Sequence, residues 1–305
     1  MRGRIINLCG GVYKVELSDG KVISIKARGK LRASKTYTQN QKSLSKKAIP
    51  QTIKDSPKVG DMVVIENDMI DHYEERRNSL IRPDIANVDQ ILLVFAAKDP
   101  DFSFLLLDLF IINITKNKIN PIIVITKKDK LTTEELNDLK SKLSYYENLG
   151  FKVYFVNSLV GDGIELVKEL LKDKITILAG QTGAGKSSLI NALIPGFDLK
   201  TQEISQALGR GKQTTREISL YKAFGGYLGD TPGFSKLDLL GVSLNELNDL
   251  FVEFKEYKCK FKDCKHLENS LGCEVINAVN EGKILKSRYD NYIKLYLELK
   301  NKENK

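Results

Sequence analysis

Gly180-Gln181-Thr182-Gly183-Ala184-Gly185-Lys186-Ser187 has the residue types and spacing needed to hold a polyphosphate. Glycines in Gly-x-x-x-x-Gly-Lys-Ser let bare backbone N–H groups curl round phosphate oxygens that larger side chains would obstruct. Lys186 would place a point charge between the β- and γ-phosphates, and the Ser187 hydroxyl would be a ligand for magnesium. The flanking sequence fits, because the apolar run 175–178 reads as a short buried strand and Ser188 begins the helical run 188–193. The positive end of that helix would face the anion. The expected phosphate contacts therefore run from Gly180 through Ser188.

A second group, Thr126-Lys127-Lys128-Asp129, has the form of a guanine reader. Asp129 would accept two hydrogen bonds from the base edge, the Lys127 stem would pack along the ring, and Thr126 would tie this loop to the phosphate loop. The tetrapeptide alone says little in a lysine-rich chain; its position decides. It ends the strand run 121–125, and Thr132 and Glu135 have capping-box spacing for a following helix. A base-reading loop belongs at the carboxyl end of such a strand. The apolar run 153–156 leads into Asn157-Ser158, whose backbone could support the guanine oxygen. Asp230-Thr231-Pro232-Gly233 offers a carboxylate near magnesium and a backbone N–H for the γ-phosphate.

In an ordinary small GTPase the phosphate loop precedes the base reader; here it follows. The chain reads as a circularly permuted GTPase, plausible because the termini of a compact α/β domain can lie close together. The segment after Gly233 then leads straight into the C-terminal region.

The remaining elements must position these groups. A chain of 305 residues suggests two or three domains. No apolar run approaches the roughly 20 residues of a membrane helix, since Asp108 interrupts the run 104–112. The N-terminus carries no signal-peptide stretch, so a cytoplasmic protein without membrane attachment is expected. Residues 1–55 hold 13 Lys/Arg against Glu16, Asp19 and Asp55, enough to account for the whole chain's net charge of +9. Such an electropositive module points to a polyanion, with nucleic acid the leading partner. Strand runs at 4–6, 12–17, 22–25 and 62–65 suggest a five-stranded Greek-key barrel of the oligonucleotide-binding (OB) type over 1–70. Residues 28–56 form a basic loop within it, 71–84 a linker, 85–240 the permuted α/β P-loop domain, and 241–305 a helical lobe. Cys9 is expected as a small buried hydrophobe, and His72 as polar surface.

The lobe carries Cys259-x4-Cys264-x-His266-x6-Cys273. Three thiolates and one imidazole make a closed tetrahedral shell of the structural zinc kind. Zinc would supply folding energy that this short polar segment cannot obtain from apolar burial. Leu285, Tyr289, Tyr292, Ile293, Tyr296 and Leu299 form one stripe of a C-terminal helix, expected to pack against the zinc segment.

Along nearly its whole length the chain resembles the bacterial RsgA family of small-subunit biogenesis GTPases. The resemblance rests on the barrel, Arg-Pro-Asp-Ile-Ala-Asn-Val-Asp-Gln at 82–90, the permuted motifs and Cys-Lys-Phe-Lys-Asp-Cys-Lys-His at 259–266. It implies GTP hydrolysis stimulated by the 30S subunit, late maturation of that particle, and binding near its decoding region, with GTP/GDP, Mg²⁺ and one Zn²⁺ as ligands. A monomer acting on 16S rRNA is expected. Gly209–Arg216 looks like the family's first switch; Ser187 with Thr215 or Asp230 would hold magnesium, and Gly233 would sense the γ-phosphate. The family usually carries His before the Thr-Thr pair, whereas this chain has Gln213, which could still orient a water. Phe234 stands where Ras-like GTPases place a catalytic Gln, as the family does. The interval from His266 to Cys273 is one residue longer than usual. With no arginine finger assignable in the chain, intrinsic turnover should be slow. The rivals are a non-catalytic, guanine-nucleotide-switched RNA-binding factor, and a GTPase serving another RNA or a membrane-associated complex. The basic barrel and the absence of lipid signals weigh against the membrane version.

Overall fold

The computed structural model describes residues 1–31, 56–81, 83–196, 218–230, 239 and 241–303. Most of the basic loop and the switch residues Gln213, Thr215 and Gly233 lie outside the described residues. The chain divides into two compact units, one built on Met1–Asn87 with Ile218–Tyr221, the other on the remainder.

In the first unit, β1 (Arg2–Cys9), β2 (Val12–Leu17), β3 (Val22–Ala27), β4 (Met62–Glu66) and β5 (Met69–Tyr73) are ordered β2-β3-β5-β4-β1, with β1 returning to β2. The sheet thus closes on itself as a five-stranded barrel, without free edges. Alternation places Ile5, Tyr13, Val15, Val63, Ile65 and Ile70 inside. The fifth strand, Met69–Tyr73, begins before and runs into the stretch read as linker. Cys9 corrects an expectation: it is exposed, because it ends β1 at the Gly10-Gly11 turn, beyond the buried alternation. His72 is exposed and pairs with Asp71. The segment after β5 is strapped to the barrel. Fully buried Asp61 receives both forks of Arg76, at 2.8 and 2.7 Å, a bidentate geometry that fixes direction as well as distance. Gly60 is required there, because a Cβ would meet the Ala86 carbonyl oxygen at 2.0 Å.

The second unit holds a parallel sheet of β6 (Gln90–Ala96), β7 (Asn120–Thr126), β8 (Lys152–Phe155), β9 (Ile175–Gly180) and β11 (Gly226–Asp230), ordered β11-β9-β6-β7-β8. β10 (Ser219–Ala223) precedes β11 in the chain. Continuous apolar runs in β6, β7 and β9 reflect burial on both faces. The helices are α1 (Phe104–Lys116), α2 (Thr133–Asn148), α3 (Ile164–Leu171) and α4 (Lys186–Leu193). The capping box of Thr132 and Glu135 starts α2 as the spacing predicts. Chain direction runs outward from β6 to β8, then returns to the other side of β6 at β9. That reversal point, between β6 and β9, is where an open α/β sheet leaves a crevice at its strand ends.

The C-terminal lobe consists of α5 (Leu244–Leu250), a 3₁₀ turn Val252–Glu256, α6 (Glu274–Asn280) and α7 (Lys286–Glu303). Its core gathers Phe251, Phe254, Val275, Tyr289, Tyr292, Tyr296 and Leu299. Ile112 of α1 enters the same core, so lobe and sheet domain share apolar packing. At this junction Arg288 is fully buried between Asp108 of α1 and Glu253. Asp108 also receives Tyr146 Oη at 2.8 Å and Asn291 Nδ2 at 2.7 Å. Burial pushes the Asp108 carboxyl up, with Arg288 opposing it.

Candidate nucleotide site and metal cluster

The crevice is built first by steric permission. A Cβ on Gly180, where φ is +137°, would sit 2.0 Å from the Val94 carbonyl oxygen, so only glycine lets β9 end against β6. Gly183 and Gly185 then turn the loop at φ +78° and +85°, and Gly185 caps α4. Ala184 is buried beneath the loop, while Thr182, Gly183, Ser187 and Ser188 are exposed along it. Lys186 Nζ donates to the carbonyls of Gly180 at 2.9 Å and Gln181 at 2.8 Å.

The base-reading segment converges on this loop from the next strand but one. Thr126 Oγ donates to the Ala184 carbonyl at 2.5 Å, joining residues 58 apart in sequence. Lys127, in the left-handed region at φ +55°, donates to the Gly183 carbonyl at 2.7 Å and to the Asp99 carbonyl. Lys128 pairs with Asp162 and Lys130 with Asp99, the latter at 2.7 Å. The hydrogen bond from Lys130 holds the Asp99 carboxyl below its ordinary range. Asp129 lies exposed between them. Asn157 N donates to the Asp162 carbonyl at 2.9 Å, setting the Asn157-Ser158 turn beside the same strand end. Ser158 Oγ and Gln181 Oε1 are buried without a hydrogen-bond partner among the described residues. A buried polar atom left unmet costs about 1–3 kcal/mol, so each of these suits a polar ligand. The Asp230 backbone ends β11 beside Leu178 of β9.

Asp99 and Asp162 escaped the sequence reading. Their signal is weak: each is one carboxylate in a loop, and its partner lysine arrives from another strand.

The second cluster is local. Cys259 Sγ lies 3.8 Å from Cys273 Sγ and 3.5 Å from His266 Nδ1, and the last two atoms are 3.4 Å apart. All four ligand atoms, with Cys264 Sγ, lie within 4.8 Å of one another. A tetrahedral zinc ion at ordinary bond lengths spaces its sulfurs about 3.8 Å apart, and sulfur from nitrogen about 3.6 Å. The donor set therefore fits zinc, with Nδ1 as the imidazole ligand. Burial, then Lys265, lowers the His266 value and keeps the ring neutral, as a ligand must be. Burial pushes the Cys273 thiol up to about 12, so a bound cation would be needed to sustain its thiolate at neutral pH. Outer partners fix the frame. Tyr289 Oη donates to the His266 carbonyl at 2.8 Å, Tyr292 Oη reaches the Lys265 carbonyl at 2.7 Å, and Asn248 Nδ2 holds the Cys264 carbonyl at 3.1 Å.

With this geometry in place, comparison with known proteins is decisive. The profile of the RsgA GTPase family matches residues 73–240, more than half of the chain. A small ribosomal subunit biogenesis GTPase RsgA of onion yellows phytoplasma (strain OY-M) is 41% identical, covering 97% of each chain. That of Bacillus pumilus is 38% identical over 99% of this chain and 98% of its own. The chain belongs to the RsgA GTPase family. Membership makes it a hydrolase acting on GTP. Among solved structures, YjeQ from Thermotoga maritima superposes with a TM-score of 0.79 at 35% identity, covering 98% of both chains. YloQ, described as a circularly permuted GTPase, gives 0.75 at 35%, covering 99% of this chain and 95% of its own. The permuted motif order and the β11-β9-β6-β7-β8 sheet agree with that description.

Proposed function

We propose that this RsgA-family GTPase acts on the small ribosomal subunit, binding the 30S particle through 16S rRNA and hydrolysing GTP during its late maturation. The observation that carries the site assignment is the Thr126–Ala184 hydrogen bond, which fastens a guanine-type reader to a phosphate-type loop. The names of the relatives, which refer to small-subunit biogenesis, and the basic N-terminal unit support the ribosomal partner.

In this reading Asp129 selects guanine, with Thr126, Lys127, Lys128, Asn157 and Ser158 shaping the base pocket. Gly180 through Ser188 hold the phosphates. Ser187, with Thr215 or Asp230, would hold Mg²⁺, which neutralises phosphate charge when bound. Gly233 senses the γ-phosphate, and Gln213 orients the attacking water. Positioning and electrostatics supply most of the acceleration in such phosphoryl transfer. Zn²⁺ held by Cys259, Cys264, His266 and Cys273 is structural. Functionally we divide the chain into an RNA-binding barrel at 1–70, a linker at 71–84 whose first residues complete β5 of that barrel, the GTPase at 85–240 and the zinc lobe at 241–305. No helix among the described residues is long and apolar enough to cross a membrane, and we assign the protein to the cytoplasm as a monomer.

GTP hydrolysis measured with and without purified 30S particles tests this. We expect at least a tenfold rise with the particles. An unchanged rate, with RNA binding that still responds to GTP, would instead favour a nucleotide-switched RNA-binding factor that does not depend on turnover.

A further inference from the structure

We infer that Asp99 and Asp162 are positioning residues of the base pocket, drawing the lysines that flank Asp129 away from its carboxylate so that it stays open to guanine. The inference rests on the guanine-reading role proposed above for Asp129.

The difficulty the fold must solve is visible in Lys127-Lys128-Asp129-Lys130. Three flexible ammonium groups lie within two positions of the one carboxylate that must read a neutral base. An ammonium paired with that carboxylate would occupy the oxygens that guanine N–H groups need, and a charged donor competes well against a neutral one. Adjacent residues do not face each other on a regular helix. This segment, however, is a single 3₁₀ turn, Lys128–Lys130, and a four-carbon stem can fold back across it.

The structure gives every one of these lysines another acceptor. Lys127 Nζ is taken by the Gly183 and Asp99 carbonyls, Lys130 Nζ by Asp99 Oδ2 at 2.7 Å, and Lys128 Nζ by Asp162 Oδ2. Nearby Lys98 is likewise drawn away, to Glu135 at 3.1 Å. Asp99 thus restrains two of the three through two different groups, its carbonyl and its carboxylate. Asp162 is itself anchored, since its carbonyl accepts from Asn157 N. Among the described residues no hydrogen bond or ion pair engages the Asp129 carboxylate. Four lysines are thus paired with backbone carbonyls or with three carboxylates other than Asp129, and none of them with the reading group.

The experiment titrates a fluorescent GDP analogue into the full-length, zinc-loaded protein and its variants. Asp162→Asn should weaken GDP binding about threefold to fivefold at low salt, the scale of an exposed ion pair. The loss should shrink as salt shortens the Debye length toward about 3 Å. Measured against Lys128→Met as its own baseline, Asp162→Asn should cost almost nothing further, because the ammonium that would intrude is already gone. Asp99→Asn with and without Lys130→Met should repeat the pattern. Unchanged affinity in both aspartate variants overturns the inference. So does a loss that salt does not reduce and that is as large in the lysine-deleted backgrounds, which would mean that the aspartates act only by shaping their loops. Failure of the underlying base assignment has a different signature, namely an Asp129→Asn protein that does not turn toward xanthine nucleotides.

Discussion

The nucleotide crevice and the zinc lobe solve the same task, fixing a few polar groups in space, by opposite means. The lobe's four ligands fall within a stretch of fifteen residues, 259–273, and are held by a ring of tyrosine hydroxyls and packed aromatics. Zinc would close that shell, and without it the short polar turns would have little to hold them. The crevice gathers groups from the ends of β6, β7, β8 and β9, joined by hydrogen bonds such as Thr126 to Ala184. Its scaffold is an apolar parallel sheet, and Asp129, Thr182, Gly183, Ser187 and Ser188 lie exposed along it. With zinc as its ligand, one site would need that ligand in order to fold; the other needs its fold in order to meet a ligand.

The sharpest way to break that contrast is to remove a zinc ligand. A Cys264→Ser/His266→Ala protein should lose its stoichiometric zinc and with it folding energy on the scale of 10 kcal/mol. Metal analysis and limited proteolysis should find a metal-free, nicked lobe joined to a sheet domain that still binds GDP. A full equivalent of zinc in that double variant would refute the ligand assignment.

Next in size is Gln213→Ala. If Gln213 positions the attacking water, 30S-stimulated hydrolysis should fall about 10²–10⁴-fold while GTP affinity holds. Equal stimulated turnover in the variant would make the ribosome the supplier of that group.

The junction between the regions gives a third measure. Arg288→Met should destabilise the chain by about 3–5 kcal/mol, because Asp108 and Glu253 are left as uncompensated buried charges. Neutralising those two as well, with Asp108→Asn and Glu253→Gln, should recover much of the loss in a thermal or urea melt. If the single variant melts like the parent, the buried triad contributes nothing to the joint.

The smallest change is the most specific. Asp129→Asn should weaken GDP binding about 100-fold, as expected for two hydrogen bonds to a charged acceptor, and favour xanthine nucleotides instead. Equal GDP and XDP affinities before and after the substitution would count against guanine reading.

The same contrast explains what could be read from sequence. The phosphate loop and the Cys/His cluster are contiguous, and their chemistry demands particular residues at fixed intervals, so both were legible. The parallel sheet was legible through its unbroken apolar runs. Met69–Tyr73 was not named among the strands, because Asp71 and His72 dilute its alternation. Asp99 and Asp162 could not be found, since nothing local marks a carboxylate whose partner arrives from a different strand. Asp108 was read only as a charge that spoils a membrane helix; its real partner, Arg288, lies 180 residues away. Cys9 was misjudged because strand periodicity does not say where a strand stops.

The contact of Gly180 with the Val94 carbonyl also bears on how the chain is made. Synthesis delivers β6, β7 and β8 well before β9. Until residue 180 has left the ribosome, the inner edge of β6, wholly buried in the finished protein, is a bare row of apolar strand hydrogen-bonding groups. Such an edge is a template for mispairing with other chains. An ordinary GTPase builds its phosphate-loop strand first; the permuted order makes that strand the late closing piece. A nascent chain halted before Ile175 would therefore be a sticky half-sheet, and the chain could grip the phosphates of GTP only after that edge is sealed, once Lys186 and Ser187 have followed Gly180 out.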